Sequence, residues 1–410
     1  MPDTTDSYPR AIKSLIDRDL GTYPVVALMG ARQVGKSTLC KKIAEEHGLQ
    51  YCTLDDRDRR VQALEDPEGL LADLGDHGSA IDEVQRAPEL LIAIKAVVDR
   101  ENRTGQYLLT GSNQPRVRGA VSDSLQGRAI YRTLRPLTLG EQRYSEDHNG
   151  WSLLFNEDEG AICNLLRERA EASGALQWEE VVRAGGFPRA LAATPEDRAT
   201  LLNAYTETYT RQDVREVLGI ELPEQFDRFF RVAATRTGHE LNVSALARDL
   251  GIPINTTRRW IDALERSYMV ERIPPYSRNA TNRVVQSPKL FFVDSALALA
   301  AAREPVPTGF HLETLVANDI GVWRDLAPGR AVHHWRIASG PEVDFVLEDE
   351  RRLVPVEIKA TSQADIRDAR HLTRFITDHS NAVRGVLLTG DETVRVIGEN
   401  IIAAPWWAVI

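Results

Sequence analysis

The stretch GARQVGKST at residues 30–38 constrains the fold of this chain more than any other part of the sequence. Gly30, Gly35, Lys36 and Ser37 have the spacing G-x-x-x-x-G-K-[ST], between the apolar run PVVALMG and a helical pattern. Glycines at these positions let backbone N–H groups close around phosphate oxygens, and the start of the helix adds its positive dipole end. A glycine-rich turn with a chance lysine is the alternative, and it does not account for the strand and the helix on either side.

This spacing predicts a nucleotide site that takes ATP with Mg²⁺. We expect the Lys36 ammonium to reach the β- and γ-phosphates and the Ser37 hydroxyl to bind Mg²⁺. The residues expected to line the phosphates are Gly30, Gln33, Val34, Gly35, Lys36, Ser37 and Thr38.

Strand and helix patterns alternate over residues 24–135. After PVVALMG, the strand candidates are LQYCTL (residues 49–54), SAIDEV (79–84) and GQYLLTG (105–111), with helical stretches such as PELLIAIKAVVDR between them. Such alternation is typical of an α/β fold with a parallel sheet and helices on both faces. We therefore predict a P-loop domain with a parallel sheet.

An acidic pair, Asp82 and Glu83, ends the third strand candidate. Carboxylates there can hold Mg²⁺ through Asp82 and orient the attacking water through Glu83, which makes Glu83 a candidate catalytic residue. The alternative is a carboxylate pair that only ends a strand at a turn. The sequence therefore predicts ATP hydrolysis as well as ATP binding.

Polar residues after the fourth strand candidate, and an arginine further on, are weaker candidates for the same site. Thr110, Ser112 and Asn113 follow the strand core, where a polar side chain can sense the γ-phosphate, although these are also ordinary loop residues. Arg128, in LQGRA, is a candidate arginine finger or nucleotide sensor, and a plain surface arginine is the alternative. A finger that acts in trans would require a homo-oligomer.

Charge is unevenly distributed along the chain. The net charge is −10, but residues 228–289 carry eleven Lys/Arg against five Asp/Glu, a local balance of +6, so the remainder carries −16. A basic segment in an acidic chain predicts a local anion-binding face with DNA as the partner, and a solvated arginine-rich helix surface is the alternative.

Within that segment, SALARDLGIPINTTRRWIDALERSYMVERIPPY (residues 244–276) divides into helix, tight turn, helix and strand. This order resembles a winged helix-turn-helix, whose second helix enters a DNA groove. We then expect Thr256, Thr257, Arg258 and Arg259 to face phosphates or base edges. Winged helices also serve as protein-contact or lid modules in ATPases, so a protein partner is the alternative.

Two strand candidates near the end of the chain, EVDFVL and LVPVEIK, are joined by the charged turn EDERR. Because side chains alternate along a strand, Glu357 and Lys359 should point away from the face of Val356, and Asp344 lies on the neighbouring strand. Two carboxylates and a lysine can bind a divalent cation and polarise a water for phosphodiester attack. Glu313, in the helical stretch FHLETLVAND, is a candidate fourth group.

The spacing D-x₁₂-E-x-K of this hairpin resembles the PD-(D/E)xK restriction-endonuclease-like fold. It predicts Asp344, Glu357 and Lys359 as catalytic residues. It also predicts Glu313, Asp344 and Glu357 as ligands of Mg²⁺, with Mn²⁺ as a substitute. The alternative is an inherited nuclease-like scaffold in which these charges make salt bridges.

Other features of the sequence bound its class and its divisions. Cys40, Cys52 and Cys163 have no CxxC spacing, which fits a reducing cytoplasm and predicts no zinc site. No apolar run approaches the about 20 residues of a membrane helix, and the N-terminal residues have no secretory pattern. The predicted divisions are a P-loop domain over residues 1–155, a helical lid or linker over 156–225, a winged-helix-like domain over 226–301 and an α/β nuclease-like domain over 302–410.

Taken together, these segments resemble a bacterial and archaeal family of AAA-type P-loop ATPases whose C-terminal half is a domain of unknown function. The resemblance runs almost end to end, through GARQVGKSTL, IDEVQRAPELL, GGFPRAL, SPKLFFVDSALA, HLETLVAND and VPVEIKA. It implies an AAA/ASCE-type ATPase core, a winged-helix-like segment and a nuclease-like C-terminal domain. The site positions carried over are Lys36, Ser37, Asp82, Glu83, Asp344, Glu357 and Lys359.

Three functions follow from these patterns. The first is an ATP-dependent enzyme that binds DNA through the winged helix and cuts it with the C-terminal domain. The second is a switch that does not cut, in which ATP changes the affinity for DNA or for a protein. The third is an ATPase whose winged helix and C-terminal domain recognise protein alone.

Overall fold

The computed structural model describes residues 8–112, 125–145, 150–214, 223–277, 286–337, 340–362 and 365–410. The chain forms two compact units: unit 1 contains Met1–Leu137 and Arg266–Tyr268, and unit 2 contains Thr138–Glu265 and Met269–Ile410. The four-domain division predicted from the sequence is finer than these units and stays a prediction. Among the described residues, no helix combines the length and the apolar character that crossing a membrane demands.

Unit 1 is built on a sheet of five parallel strands. The strands are β1 (Val25–Met29), β2 (Gln50–Thr53), β3 (Ser79–Asp82), β4 (Tyr107–Gly111) and β5 (Ala129–Thr133). Their order across the sheet is β2-β3-β4-β1-β5, and every neighbouring pair runs parallel. The predicted parallel sheet is therefore confirmed, and β5, which no sequence pattern indicated, forms its edge beside β1.

The described helices of unit 1 precede β1 or lie between successive strands from β1 to β4. They are α1 (Lys13–Leu20), α2 (Lys36–His47), α3 (Arg57–Glu65), α4 (Pro67–Asp73) and α5 (Leu90–Glu101). The Asp56 carboxylate accepts from two backbone N–H groups at the start of α3, and Asp66 caps α4, whose first residue is a proline. All five residues of β1 are buried, as expected for a central parallel strand that is covered on both faces.

Unit 2 opens with a helical region. Its helices are α6 (Leu139–Gln142), α7 (Gly150–Leu153), α8 (Glu159–Ser173), α9 (Trp178–Ala184), α10 (Pro188–Leu191) and α11 (Pro195–Thr208), and a π-helical turn, Tyr209–Asp213, follows α11. α6 begins with a capping box, in which Thr138 and Glu141 each accept from the other's backbone N–H. The long helix predicted over residues 199–219 is α-helical to Thr208, and residues 215–219 lie outside the described part of the chain.

Further helices and a small antiparallel sheet follow. They are α12 (Pro223–Ala234), β6 (His239–Glu240), α13 (Val243–Leu250), α14 (Ile254–Arg266), β7 (Val270–Ile273), β8 (Lys289–Phe292) and α15 (Ser295–Ala302). β8 pairs with both β6 and β7. Gly251, at φ 66°, turns the chain between α13 and α14, and Trp260 of α14 packs edge-on against Phe226 of α12. The order from α12 to β8 is compatible with the winged helix, which stays a prediction.

The loop between α9 and α10, which contains the first residues of GGFPRAL, is hydrogen-bonded to the start of α15. The buried Asp294 carboxylate accepts from the Gly186 N–H at 2.6 Å and from the Leu297 N–H at 2.8 Å, so it holds the loop and caps α15 at once. Burial raises the pKa of Asp294 to about 6, although these backbone donors act against the shift. Gly185 passes so close that a Cβ there would lie 2.7 Å from Asp294 Oδ1 and 2.8 Å from Ala296 Cβ.

The last part of unit 2 is a six-stranded mixed sheet with helices packed against it. Its elements are α16 (Gly309–Asp325), β9 (Ala331–Arg336), β10 (Glu342–Asp349), β11 (Arg352–Lys359), α17 (Arg370–Asp378), β12 (Gly385–Thr389), β13 (Arg395–Gly398), β14 (Ile401–Pro405) and α18 (Trp406–Val409). The order across the sheet is β13-β14-β12-β11-β10-β9. β9, β10 and β11 are antiparallel, whereas β12 runs parallel to both β11 and β14.

The hairpin predicted near the end of the chain is present as β10 and β11. Glu350 and Arg351 have φ of 49° and 72°, which is the backbone of a two-residue hairpin turn. Phe345 packs on one face of the sheet with residues of α16, and Val346 packs on the other face with residues of α17. Because helices cover both faces, charged side chains on these strands must find partners inside the fold.

Substitution of Gly185 by alanine is expected to lower the melting temperature more than substitution of Gly174 does. Both glycines follow a helix at φ 65°, so both variants bear the same backbone strain, about 1–3 kcal/mol. Only at Gly185 does the new methyl group also overlap Asp294 and Ala296, which adds about 1–3 kcal/mol; the same position at Gly174 has open space. Thermal unfolding followed by circular dichroism measures the extra fall, expected at about 2–10 °C. Equal shifts in the two variants would contradict a close-packed loop.

Candidate functional site

The loop between β1 and α2 has the backbone of a phosphate cradle. Gly30 has φ 155° and Gly35 has φ 99°, and a Cβ on Gly30 would lie 2.3 Å from the Leu134 carbonyl oxygen, so only glycine fits there. Gln33 also has a positive φ, at 62°. α2 begins at Lys36 without a side-chain cap, and its first-turn N–H groups therefore point back into the loop together with the positive end of the helix dipole.

The Lys36 side chain lies inside this loop. It is 4% exposed, and its Nζ donates to the carbonyl oxygens of Gly30, at 3.0 Å, and of Ala31, at 2.8 Å. Burial lowers the pKa of Lys36 to about 8, and the neighbouring carboxylates of Glu83 and Asp82 offset this only in part. The ammonium is therefore held by neutral partners, which an incoming phosphate oxygen can replace.

Asp82 ends β3 in the same region, and both oxygens of its carboxylate are held. Oδ1 accepts from the Thr110 hydroxyl of β4, and Oδ2 accepts from the Tyr51 hydroxyl of β2 at 2.9 Å. Asp82 is buried and near enough to act on the pKa of Lys36, so the structure brings the predicted acidic pair to the cradle. No pattern in the sequence singles out Tyr51, which orients Asp82 from the neighbouring strand.

Glu83 follows in the left-handed backbone region, at φ 61°, which is strained for a residue with a side chain. Its N–H donates to the Thr110 hydroxyl at 3.3 Å, and its carboxylate accepts from the Gln85 amide. Gln85 Nε2 also donates to the Ser112 hydroxyl at 3.1 Å, and Gln85 Oε1 accepts from the Ser112 N–H at 3.4 Å. Gln85 therefore bridges the candidate catalytic residue and the candidate sensor. Its only sequence signal is its place two residues after Glu83 in IDEVQ.

Arg128 is not brought to the cradle of its own chain. It directly precedes β5, and Ala129 pairs with Val25 at the start of β1, whereas the cradle follows the other end of β1. Its guanidinium makes a two-point ion pair with Asp99 and donates to the Gln126 carbonyl oxygen at 2.9 Å. The structure does not support Arg128 as a ligand of its own chain's nucleotide, and a role in trans stays a prediction.

The other predicted residues of the loop lie where the motif places them. Val34 is fully buried, and its carbonyl oxygen accepts from Arg10 Nη1 at 2.8 Å, so Arg10 fixes the loop from outside the motif. Ser37 is half-buried and Thr38 is exposed. Asn113 lies outside the described residues.

This set of groups fits Mg²⁺ and a nucleoside triphosphate. The backbone N–H groups of the cradle and the Lys36 ammonium are hydrogen-bond donors that suit the oxygens of an anion. The Ser37 hydroxyl and the Asp82 carboxylate are oxygen ligands of the kind that Mg²⁺ prefers. Glu83 remains as the carboxylate that can orient a water.

The predicted carboxylates of unit 2 also come together, but around a lysine. Glu313 of α16, Asp344 of β10 and Glu357 of β11 are all buried. The Nζ of Lys289, from β8, lies 3.3 Å from Asp344 Oδ1 and 3.5 Å from Glu313 Oε2. It also lies 2.8 Å from Glu342 Oε1. No pattern in the sequence singles out Lys289 or Glu342 for this cluster.

The remaining contacts of the cluster are internal as well. Asp344 Oδ2 accepts from the Ile358 N–H at 2.9 Å, and Glu357 Oε1 lies 2.6 Å from Lys359 Nζ. Burial, and then the charge of Asp344, raise the pKa of Glu313 well above its usual value and that of Glu357 to about 8. Each predicted residue of the nuclease-like set is thus close to the others, and Asp344 and Glu357 are bound by groups of the protein.

As arranged, the cluster does not fit a divalent cation. Mg²⁺ and Mn²⁺ require several oxygen ligands around one point, and here the Lys289 ammonium lies among those oxygens. Across the part of the chain that the structure describes, no group of three or more Asp, Glu, His or Cys side chains is placed to hold a metal ion. The expected Mg²⁺ or Mn²⁺ at Glu313, Asp344 and Glu357 is therefore not supported.

The outer face of α14 carries two arginines. Arg258 and Arg259 are exposed, and Arg258 Nη1 donates to the Asn255 side chain at 3.4 Å. Thr257 is fully buried, and its hydroxyl donates to the Pro253 carbonyl oxygen at 3.2 Å. The expectation that Thr257 faces nucleic acid is contradicted, because it turns towards the core, while the two arginines are accessible to an external partner.

Three family models match successive parts of the chain. Residues 22–142 match an AAA domain, and this segment contains β1 to β5 with the cradle and the acidic pair. Residues 175–307 match a domain of unknown function (DUF8612), and residues 308–409 match another (DUF4143). The part of unit 1 that holds the cradle and the acidic pair therefore matches an AAA domain, as the sequence predicts, and the nuclease-like assignment of the C-terminal part stays a prediction.

Similar whole proteins are distant. Two uncharacterized proteins, from Mycobacterium bovis and Mycobacterium tuberculosis, are each 28% identical over 403 residues, which is 95% of this chain and 81% of theirs. Among solved structures, the Walker-type ATPase of Pyrococcus abyssi matches 73% of this chain and 97% of its own, at 17% identity and a TM-score of 0.42. AMPPCP-bound DnaA from Aquifex aeolicus matches 62% and 85%, at 12% identity and a TM-score of 0.24. These structural likenesses are too distant to carry an argument about function.

ATP affinity is expected to fall as the pH rises above about 8. Without nucleotide, the pKa of Lys36 is about 8, whereas bound phosphates keep its ammonium charged to higher pH. Binding above that pH therefore requires proton uptake, so the dissociation constant rises by up to about tenfold per pH unit, and below it the affinity is flat. Calorimetric titration with ATP at pH 7 and pH 9 measures the change.

Lys36→Arg is the control for this prediction. Its guanidinium stays charged at both pH values, so the variant should bind ATP with an affinity that does not depend on pH in this range. A variant that loses affinity between pH 7 and pH 9 as steeply as the natural chain would show that another group titrates.

Proposed function

We propose that this protein is an ATP-driven switch, in which unit 1 binds and hydrolyses MgATP and the nucleotide state sets the affinity of unit 2 for a partner. The main support for the proposal is that the buried Lys36 ammonium, Asp82 and Glu83 lie together at one glycine-rich loop. The match of residues 22–142 to an AAA domain supports the ATPase part.

ATP binding is proposed to proceed by exchange of partners at Lys36. The carbonyl oxygens of Gly30 and Ala31 release the ammonium, which then pairs with phosphate oxygens while backbone N–H groups of the cradle take the others. Mg²⁺ supplies charge neutralisation when it is bound, through Ser37 and Asp82. Tyr51 and Thr110 keep the Asp82 carboxylate in one orientation for that role.

Hydrolysis is proposed to depend on the release of Glu83. In the structure described here, Gln85 holds Glu83 and at the same time contacts Ser112. A γ-phosphate oxygen at Ser112 competes for that contact, so Gln85 shifts and Glu83 becomes able to accept a proton from the attacking water. This arrangement links the presence of the γ-phosphate to the readiness of the catalytic carboxylate.

Glu83→Gln is expected to lower ATP turnover about 10²–10⁴-fold and to change ATP affinity little, because the amide keeps the size of the side chain but cannot accept the proton. Lys36→Ala is expected to lose ATP binding and turnover together. Phosphate release measures ATP turnover, and calorimetric titration measures ATP affinity. Undiminished turnover in Glu83→Gln would refute the assignment of Glu83 as the catalytic carboxylate.

Arg128→Ala should turn over ATP as the natural chain does if Arg128 is a surface residue, whereas a loss of turnover would indicate an arginine finger that acts in trans.

DNA is the partner that the surface of α14 favours. Arg258 and Arg259 are exposed there, within the segment 228–289 whose charge balance is +6. Guanidinium groups bind phosphates strongly, and such contacts supply most of the affinity of non-specific DNA binding. A protein partner is the alternative, and it predicts no affinity for DNA even at low salt.

Arg258→Ala/Arg259→Ala is expected to weaken DNA binding about tenfold or more at low salt. Each phosphate contact that is removed lowers by about one the number of counterions released when the protein binds DNA. The slope of log affinity against log salt should therefore become shallower by about 2. Arg100→Ala/Arg103→Ala, which removes two other exposed arginines, is the matched control. Fluorescence anisotropy with single- and double-stranded DNA, with and without ATP, measures both effects. If the natural chain binds neither strand type at low salt, the DNA part of the proposal fails.

DNA cleavage by the C-terminal part is not included in the proposed function. The carboxylates predicted to bind the metal are engaged by cations of the protein, Asp344 by Lys289 and Glu357 by Lys359. These ion pairs support the alternative in which the charges of the hairpin make salt bridges.

A further inference from the structure

Lys289 is placed to replace a cation in the core of unit 2. It comes from β8, a strand of the three-stranded sheet, yet its side chain is 3% exposed and ends among acidic residues of other elements. Its ammonium has three N–H donors and lies within 3.5 Å of Glu342, Asp344 and Glu313. A buried ammonium among three acidic side chains supplies the positive charge that a metal ion would otherwise supply.

The neighbouring contacts show why this position matters for the fold. Glu313 is on α16, whereas Glu342 and Asp344 are on β10. Lys289 therefore joins the three-stranded sheet both to the six-stranded sheet and to the helix α16 that packs on it. Two further links join the same two sheets. Glu240 of β6 pairs with Arg336 of β9 at 3.2 Å, and the His334 N–H of β9 donates at 3.0 Å to the carbonyl oxygen of Pro274, the residue after β7.

We infer that the Glu313, Glu342 and Asp344 carboxylates form an internal ion-pair centre around Lys289, in which the lysine takes the place of a divalent cation and fastens the three-stranded sheet to the six-stranded sheet. Two charges that compensate each other inside a protein are tolerated, whereas either one alone is not. The centre therefore binds no Mg²⁺ or Mn²⁺ while Lys289 is present. It lies in unit 2, so ATP hydrolysis tests the proposed function separately.

Mn²⁺ binding is the direct test of this inference. All chains carry Asp82→Asn, which removes the acidic ligand expected at the nucleotide site, and free Mn²⁺ is measured by electron paramagnetic resonance without nucleotide. The chain that retains Lys289 should bind no Mn²⁺ at this centre. Lys289→Ala should bind one Mn²⁺ per chain, and the further change Asp344→Asn should abolish that binding.

The opposite pattern overturns the inference. If the chain that retains Lys289 binds Mn²⁺, and Asp344→Asn removes that binding, the carboxylates form a metal centre in spite of the lysine. This comparison needs only the chain with its natural lysine and one conservative variant, so it decides the matter even if Lys289→Ala does not fold.

Thermal unfolding provides an independent readout. Lys289→Ala leaves buried carboxylates without their cation and should lower the melting temperature by about 10 °C. Added Mn²⁺ should restore part of the loss in Lys289→Ala but not in Lys289→Ala/Asp344→Asn. Lys42→Ala, at an exposed lysine of α2, is the matched control and should shift the midpoint by less than about 2 °C. If Lys289→Ala has the same melting temperature as the natural chain, the Lys289 ammonium does not stabilise the contact between the two sheets.

Discussion

A lysine ammonium that leaves water needs replacement partners, and much of this structure depends on how Lys36 and Lys289 find them. Lys36 is held by two backbone carbonyl oxygens, which are neutral, and burial lowers its pKa to about 8. Burial acts in the same direction on Lys289, but Asp344 and its acidic neighbours outweigh it and raise the pKa. The first ammonium is therefore available to an incoming anion, whereas the second is already neutralised inside the fold.

The parallel sheet of unit 1 explains why residues from distant parts of the sequence meet at the cradle. Parallel strands end at the same edge of their sheet, and β4 lies between β1 and β3. The loop after β1, Asp82 at the end of β3 and Thr110 near the end of β4 therefore converge. The short turn after β3 then folds Gln85 back between Glu83 and Ser112, so one side chain contacts both the candidate catalytic carboxylate and the candidate sensor.

The C-terminal hairpin shows that residues can meet as their spacing predicts without the arrangement that the predicted chemistry needs. Asp344, Glu357 and Lys359 lie together as the spacing predicts, but Asp344 is bound by Lys289 and by a backbone N–H of β11. The same charges that would hold a metal ion thus hold two sheets of unit 2 together. Under the proposed function, the exposed arginines of α14 are the surface that contacts a partner.

By itself, the sequence determined the local parts of this protein: the cradle, the five-stranded parallel sheet apart from its edge strand β5, and the hairpin of β10 and β11. These follow from neighbouring residues, because glycines at fixed positions allow positive φ and apolar periodicity selects strands. Only the tertiary structure decided that Thr257 is buried, that Arg128 lies at the other end of the sheet and that Lys289, 55 residues before Asp344, reaches it. The reason is physical: the free energy of a charge depends on burial and on partners, and packing between distant segments sets both.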